Sequence, residues 1–220
     1  MNHSLKLVER APTAQLDGPA PLLILLHGLG SNENDLFSFA PHLDPRYRTL
    51  SVRAPRSYAY GGFAWFDILF DQPVPRPNAV QLADARQTLV SFLQEVREAY
   101  RPSRIYLAGF SQGAIMSYLT ALTHPTLVSG VLAMSGYVIK TPDLPAVADE
   151  TLKKLPFFAT HGINDRVLPV FLGRTTHQYL QSLQLNVTYR EYPMGHEVSA
   201  TCFEDCRSWL ADQVSDIAIR

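Results

Sequence analysis

The sequence has few cysteines, little net charge and no long apolar run, and each shortage excludes a class of protein. Two cysteines, Cys202 and Cys206, cannot form the disulfide framework of a small secreted domain. A formal net charge of −1, from 19 basic and 20 acidic residues, lacks the electrostatic footprint of a nucleic-acid-binding protein. The longest apolar run, residues 22–26, is far too short to cross a bilayer. We therefore expect neither a nucleic-acid partner nor a transmembrane segment.

We expect no signal peptide at the beginning of the chain, because residues 1–13 alternate apolar with charged side chains. With two cysteines that we expect to face the core, this pattern favours a reducing, cytoplasmic setting. The length of 220 residues fits one domain, and a hydrophobic fraction of 46% excludes a disordered chain. We therefore predict a single domain that spans residues 1–220.

Short runs rich in Leu or β-branched residues alternate with longer segments of helical period. The predicted strands are residues 22–26, 49–52, 104–108, 128–134, 156–160 and 186–192. One predicted helix follows Asn78, which forms a capping arrangement with Gln81, and ends before Pro102. The other three helices are predicted around residues 112–124, 172–183 and 202–213.

This alternation predicts the α/β class, with a mostly parallel sheet that is covered by helices on both faces. In such sheets the chemistry lies beyond the carboxyl ends of the strands. A residue just after a strand is therefore a candidate for the site, whereas a residue just after a helix lies at the wrong edge.

The strongest motif is Gly-Phe-Ser-Gln-Gly at residues 109–113, because it stands between a predicted strand and a predicted helix. A sharp turn there would hold the side chain of Ser111 clear of the backbone. The two glycines would let the strand and the helix approach closely, and the helix N-terminus would direct N–H groups toward the serine. We interpret Ser111 as a nucleophile.

A serine hydroxyl needs a base, and seven histidines are available. Only His27, His161 and His196 follow predicted strands. Serine, acid and histidine occur in that order in this class of site, and only His196 comes late enough in the chain. We take His196 as the general base, and we expect His27 and His161 to shape their loops.

The acid that orients the base is Asp165, which follows the predicted strand 156–160 directly. Asp143 follows the preceding strand at a greater distance and is the competing candidate. The oxyanion hole needs two N–H donors, for which we choose the backbone of Leu29 and of Gln112. A dinucleotide-binding loop at residues 28–33 is disfavoured because Glu33 stands where a third glycine is needed.

The segment 56–77 breaks the alternation, because it has no clean period and several prolines. It concentrates six aromatic residues: Tyr58, Tyr60, Phe63, Trp65, Phe66 and Phe70. A stretch of this length without regular structure is often functional in a compact domain. It could form a substrate pocket, a lid or a subunit interface, or pack its aromatic side chains as a small satellite core.

These motifs together resemble the phospholipase/carboxylesterase family of small α/β-hydrolases. The matching stretches run in family order at residues 26–30, 64–67, 109–113, 161–165, 167–169 and 195–197. The resemblance implies an α/β-hydrolase fold without a large cap domain. It implies Ser111, Asp165 and His196 as the triad and the N–H groups of Leu29 and Gln112 as oxyanion donors. It also implies Trp65 near the acyl pocket and Val167 beside the substrate, and we place Phe66 in the same pocket.

We therefore expect a serine hydrolase that cleaves carboxylic esters or thioesters of apolar acyl groups through an acyl-enzyme. The substrate would be a small-molecule ester or thioester or an acylated protein, with no cofactor and no metal, and a homodimer is compatible with the exposed aromatic segment. Two alternatives stay open: a serine peptidase or amidase with the same triad, and a hydrolase-fold binding module without turnover.

Overall fold

The fold is seen in a computed structural model, which describes residues 3–69 and 76–219. Phe70, one of the six aromatic residues of the segment 56–77, lies outside the described residues. The strands of the described part are β1 (Leu7–Arg10), β2 (Leu22–Leu26), β3 (Arg48–Val52), β4 (Arg56–Ser57), β5 (Phe63–Ala64), β6 (Ile68–Leu69), β7 (Arg76–Pro77), β8 (Ile105–Phe110), β9 (Gly130–Met134), β10 (Pro156–Gly162) and β11 (Asn186–Tyr192). The α-helices of the same part are α1 (Ala79–Tyr100), α2 (Gln112–Thr123), α3 (Glu150–Lys153), α4 (Val170–Ser182) and α5 (Ala200–Asp212). Short 3₁₀ helices span Leu36–His42 and Pro125–Leu127.

Seven of these strands form one sheet in the order β1-β3-β2-β8-β9-β10-β11. Six of them are parallel to one another: β2, β3, β8, β9, β10 and β11. The seventh, β1, pairs antiparallel with β3 at the edge. The predicted mostly parallel α/β sheet is confirmed. Asn78 caps α1 as predicted, since its side chain accepts a hydrogen bond from the N–H of Gln81.

The apolar run of β2 divides its side chains between the two faces of the sheet. Leu22, Ile24 and Leu26 pack in one core cluster with the buried faces of α1, α2 and α4. Leu23 and Leu25 pack in a second cluster with α5 and with Leu36 of the first 3₁₀ helix. All five leucine and isoleucine side chains are buried, as expected for a strand covered on both sides. We call the face of the sheet with the first cluster the α1 face and the face with the second cluster the α5 face.

The edge strand β1 and the regular structure within the segment 56–77 were not predicted from the sequence. In that segment β4 pairs with β5 and β6 pairs with β7, each as a two-stranded antiparallel sheet. Strands of two residues are too short to show a period of two in the sequence. Strand β1 is a strand of only four residues at the sheet edge, and of these only Glu9 is exposed.

Close packing of β8, α2 and β2 fixes where the turn at Ser111 can lie. A Cβ atom on Gly113 would fall 1.9 Å from the carbonyl oxygen of Leu26. A Cβ atom on Gly109 would fall 2.2 Å from the carbonyl carbon of Gly113. Both contacts are with backbone atoms, which cannot move away as a side chain can. The two glycines of the motif are therefore required by packing.

We expect Gly113→Ala to lower the free energy of unfolding by about 3 kcal/mol or more, at the upper end of overpacking effects. Gly18→Ala is the matched control, because a Cβ atom there meets no atom within 4 Å. The control should change the free energy of unfolding by less than about 0.5 kcal/mol. Urea denaturation of the three proteins measures the difference, and equal stabilities would contradict the packing argument.

Candidate active site

Three loops at the carboxyl-terminal edge of the sheet bring Ser111, Asp165 and His196 together. Ser111 stands between β8 and α2, Asp165 follows β10, and His196 follows β11. The backbone of Ser111 has φ 54° and ψ −115°, which is strained for a residue with a side chain. Such strain is often found at functional sites, where the surrounding packing holds it in place.

The three side chains form a chain of hydrogen bonds. Nδ1 of His196 lies 2.6 Å from Oδ2 of Asp165, and Nε2 of His196 lies 2.9 Å from Oγ of Ser111. Because a carboxylate only accepts hydrogen bonds, Nδ1–H of His196 donates to Asp165. Nε2 of the neutral ring is then free to accept from the hydroxyl of Ser111. This arrangement can take the serine proton during nucleophilic attack.

Asp165 is held by its own loop as well as by His196. Its Oδ1 atom accepts hydrogen bonds from the N–H groups of Val167, at 2.9 Å, and Leu168, at 2.8 Å. Burial alone would raise the pKa of Asp165, but the hydrogen bonds from His196 and from these two N–H groups outweigh it. The pKa of Asp165 therefore lies below its ordinary value. The carboxylate stays ionised and fixes the orientation of the imidazole ring.

Ser111 opens into a cavity of about 200 Å³. The cavity is lined by Gly28, Leu29, Ser31, Asp35, Ile68, Phe110, Ser111, Gln112, Ile115, Val167, Leu168 and His196. Leu29 and Gln112, the two expected oxyanion donors, are both in its wall. Gln112 is the first residue of α2, so its N–H has no partner within the helix. A substrate carbonyl beside Ser111 would lie next to these two backbone positions.

Of the residues expected in the substrate pocket, Val167 lines the cavity and is 47% exposed. Trp65 and Phe66 have no exposed surface and stand behind the cavity wall. The side-chain oxygen of Gln112 accepts from the N–H of Trp65, and its amide donates to the carbonyl of Phe66. The indole N–H of Trp65 donates to the carbonyl of His27. Trp65 and Phe66 therefore support the loop and the helix N-terminus that flank Ser111.

His27 and His161 shape their loops, as expected, and both are completely buried. Nε2 of His27 accepts from the N–H of Ala54 at 3.0 Å, so its Nδ1–H donates to the carbonyl of Gly28. Nε2–H of His161 donates to the carbonyl of Leu168 at 2.8 Å. Desolvation lowers the pKa of both histidines. Each is therefore a neutral ring that braces a loop of the site.

Asp143, the competing acid, lies outside this arrangement. It forms an ion pair with Arg86 at 2.5 Å, and its side chain is 48% exposed. The hydrogen bond with Arg86 lowers the pKa of Asp143. The long stretch between β9 and α3 carries it toward α1 and away from His196.

A second cavity, of about 350 Å³, lies on the α1 face. Its wall includes Tyr137, Phe171, Leu172 and Pro77. The two cavities are neighbours, since Pro77 pairs with Ile68 of the first cavity and Leu172 lies four residues after Leu168. The apolar wall beside Ser111 thus extends toward a larger apolar groove.

Most of the cavity wall, including Asp35, Ile68 and Ile115, was not predicted from the sequence. Asp35 lies nine residues beyond the end of β2, too far for a search restricted to residues just after strands. Ile68 belongs to the two-residue strand β6, and Ile115 reads in the sequence as an ordinary core position of α2. A search that extended each loop to the next helix would have included Asp35.

This chain matches the model of a known protein family. The family model described as phospholipase/carboxylesterase matches residues 13–213. The chain belongs to the phospholipase/carboxylesterase family. The resemblance, the α/β-hydrolase fold and the hydrolase class predicted from the sequence are thereby confirmed. Among the described helices, none is both long and apolar enough to cross a membrane.

Several relatives of this family member have named activities. Acyl-protein thioesterase 1 of Kluyveromyces lactis is 31% identical over 224 residues, covering 94% of this chain and 97% of the relative. Acyl-protein thioesterase 1 of Saccharomyces cerevisiae is 28% identical, covering 92% and 96%. A solved protein of unknown function from Agrobacterium tumefaciens superposes with a TM-score of 0.80 at 27% identity, covering 96% and 97%. Acyl-protein thioesterases are thus among the proteins that this chain is similar to.

We expect the stability of the protein to fall as the pH decreases from 7 toward 5. The folded-state pKa values of His27 and His161 lie below the ordinary value, so the unfolded chain binds protons that the folded chain does not. Each such histidine lowers the free energy of unfolding by at most about 1.4 kcal/mol per pH unit below about pH 6.5. Buried carboxylates contribute only at lower pH, because the pKa of Asp165 is depressed.

Urea denaturation at several pH values measures this slope. His27→Gln should reduce it, whereas His42→Gln, at an exposed position, should leave it as in the parent protein. A free energy of unfolding that is constant from pH 7 to pH 5 would show that neither buried histidine stays neutral in the fold.

Proposed function

We propose that this family member hydrolyses esters and thioesters of apolar acyl groups through an acyl-enzyme on Ser111. The observation that carries the proposal is the continuous chain of hydrogen bonds from Ser111 through His196 to Asp165. Each donor and acceptor in that chain is oriented for removal of the serine proton. The adjoining cavity contains the wall positions of Leu29 and Gln112 where an oxyanion would form.

The first half of the reaction forms the acyl-enzyme. Oγ of Ser111 attacks the carbonyl carbon while Nε2 of His196 takes the hydroxyl proton. The backbone N–H groups of Leu29 and Gln112 stabilise the negative oxygen of the tetrahedral intermediate. When the intermediate collapses, the bond to the alcohol or thiol breaks, and His196 returns the proton to that leaving group.

The second half releases the acid. A water molecule enters, gives a proton to Nε2 of His196 and attacks the carbonyl carbon of the acyl-enzyme. Collapse of the second intermediate breaks the bond to Ser111, which recovers the proton from His196. Asp165 stays ionised throughout and stabilises the imidazolium ion that forms in each half.

The preference for apolar acyl groups is supported by one side of the cavity. Ile68, Ile115, Val167 and Leu168 form a wall without charge, and that wall continues toward the groove at Tyr137. An acyl chain that covers this wall removes apolar surface from water, at about 25 cal/mol per Å². The segment 56–77 contributes Ile68 to this wall, and its buried residues Trp65 and Phe66 lie behind the wall.

We further propose that the acyl carrier is a small molecule or a protein. The thioesterases among the relatives, which are named for acyl-protein substrates, support a thioester substrate. A single domain over residues 1–220 and a cytoplasmic setting are part of the same proposal, supported by the span of the family match and by two free cysteines. Pairing of two copies through the segment 56–77 stays a prediction.

A serine-reactive fluorophosphonate should label the protein at Ser111. Labelling should be lost in Ser111→Ala, because the activated hydroxyl is removed while the cavity remains. Ser182→Ala, an exposed serine at the end of α4, is the control and should be labelled like the parent protein. Persistent labelling of Ser111→Ala, followed by mass spectrometry, would place the nucleophile elsewhere.

The acid assignment predicts unequal effects of two neutralising substitutions. Asp165→Asn should lower kcat about 10⁴-fold on a p-nitrophenyl ester, because an amide donates to Nδ1 and disfavours the productive tautomer of His196. Asp143→Asn removes a charge of the same sign from a half-exposed ion pair and should change kcat less than about three-fold. The reverse order of the two effects would overturn the assignment.

A further inference from the structure

The cavity at Ser111 has two chemically different sides, which belong to the two faces of the sheet. On the α1 face, Ile115 and Leu168 are members of the core cluster and Ile68 packs against it. On the α5 face, Phe110 packs against the other cluster, and its ring lies 4.9 Å from the ring of His196. Asp35 completes that side, because it directly precedes Leu36, a member of the same cluster. Ser111 sits between the two sides.

This division assigns the two halves of a substrate. An apolar acyl chain gains most from the α1 side, where Ile68, Ile115 and Leu168 lead toward the second cavity. The alcohol or thiol must then extend toward the α5 side. That side also carries His196, which has to reach the leaving-group atom to return its proton.

The α5 side carries a carboxylate. Among the described residues in the cavity wall, Asp35 is the one with a formal charge, and the wall includes no Lys or Arg. The hydroxyl of Ser31 donates to Oδ2 of Asp35 at 2.6 Å, which holds the side chain in place. In the described part of the chain, no Lys or Arg comes within ion-pair distance of Asp35.

The neighbouring acidic side chain is treated differently by the fold. Glu33, two residues earlier, is buried and paired in a bidentate manner with Arg53, with both N···O distances 2.5 Å. Lys6 lies 3.7 Å from the same carboxylate. In the loop after β2, the buried carboxylate of Glu33 is thus neutralised by basic side chains. The carboxylate of Asp35, in the cavity wall, has no such partner among the described residues.

We propose that Asp35 makes this side a subsite for a leaving group with positive charge. The class of substrate is an apolar acyl ester or thioester whose alcohol or thiol bears a cation a few atoms from the scissile bond. The carboxylate attracts the cation, and the ring of Phe110 offers an aromatic surface beside it. This inference rests on the proposed function and adds a choice of leaving group to it.

The test compares two esters that differ in charge and little in shape: butyrylcholine and the neutral 3,3-dimethylbutyl butyrate. The measured quantity is the ratio of kcat/KM for the cationic ester to that for the neutral ester. For an exposed carboxylate we expect Asp35→Asn to lower this ratio about three- to five-fold. Asp212→Asn, at the end of α5 and the opposite edge of the sheet, changes the net charge equally and should leave the ratio unchanged.

Salt gives a second readout that needs no variant. The screening length falls from about 30 Å at 0.01 M salt to about 3 Å at 1 M, so the ratio for the parent protein should fall as salt is added. In Asp35→Asn this ratio should vary less with salt than in the parent protein. In Asp212→Asn it should vary with salt as much as in the parent protein. A ratio that neither salt nor Asp35→Asn changes would overturn the subsite.

A peptide arm identifies the source of the cation. An S-butyryl cysteine peptide with a neighbouring lysine is compared with the same peptide carrying norleucine. If Asp35 is needed for a preference for the lysine peptide, the substrate is an acylated protein with basic residues near the acyl group. If Asp35 affects only the choline ester, the leaving group is a small alcohol that bears an ammonium group. The absence of any turnover of the neutral ester by the parent protein would instead refute the proposed function, and the two failures are thereby distinguished.

Discussion

The close contact between α2 and β2 is the constraint on which the rest of the site depends. Gly113 lies so near the carbonyl of Leu26 that the helix must begin directly above the strand. The chain between β8 and α2 then has one residue in which to turn, and Ser111 takes up the strained backbone conformation. The strain is maintained by packing of the largest core cluster, so the stability of the fold and the backbone conformation of Ser111 have the same origin.

The parallel sheet positions the partners of Ser111. Because β2, β8, β10 and β11 are parallel, their ends lie along one edge, and short loops suffice to bring Asp165 and His196 to the serine. The loop of Asp165 is fixed by N–H groups of its own residues and by the buried ring of His161. Short loops and local hydrogen bonds are therefore enough to hold Ser111, His196 and Asp165 in one chain of hydrogen bonds.

The sequence predicted the parts of the site that depend on one strand end and one motif. Ser111, Asp165 and His196 were identifiable because each follows a predicted strand by a few residues and because, of the histidines that follow strands, only His196 comes after both Ser111 and Asp165. The substrate pocket was predicted less well. Trp65 and Phe66 are aromatic and lie in a stretch that matches the family, but both are completely buried behind the cavity wall. Whether an apolar side chain lines a cavity or supports it depends on packing across elements, which composition and spacing do not encode.

Electrostatic balance around Ser111 explains why a single exposed carboxylate can matter. Asp165 is engaged by His196 and by backbone N–H groups, and Glu33 is matched by Arg53 and Lys6. Among the described residues of the cavity wall there is no Lys or Arg, so no cation there offsets the charge of Asp35. Its partner, the hydroxyl of Ser31, orients the carboxylate without neutralising it. In a protein with a formal net charge of −1, selectivity for charge must come from such local placement rather than from the overall field.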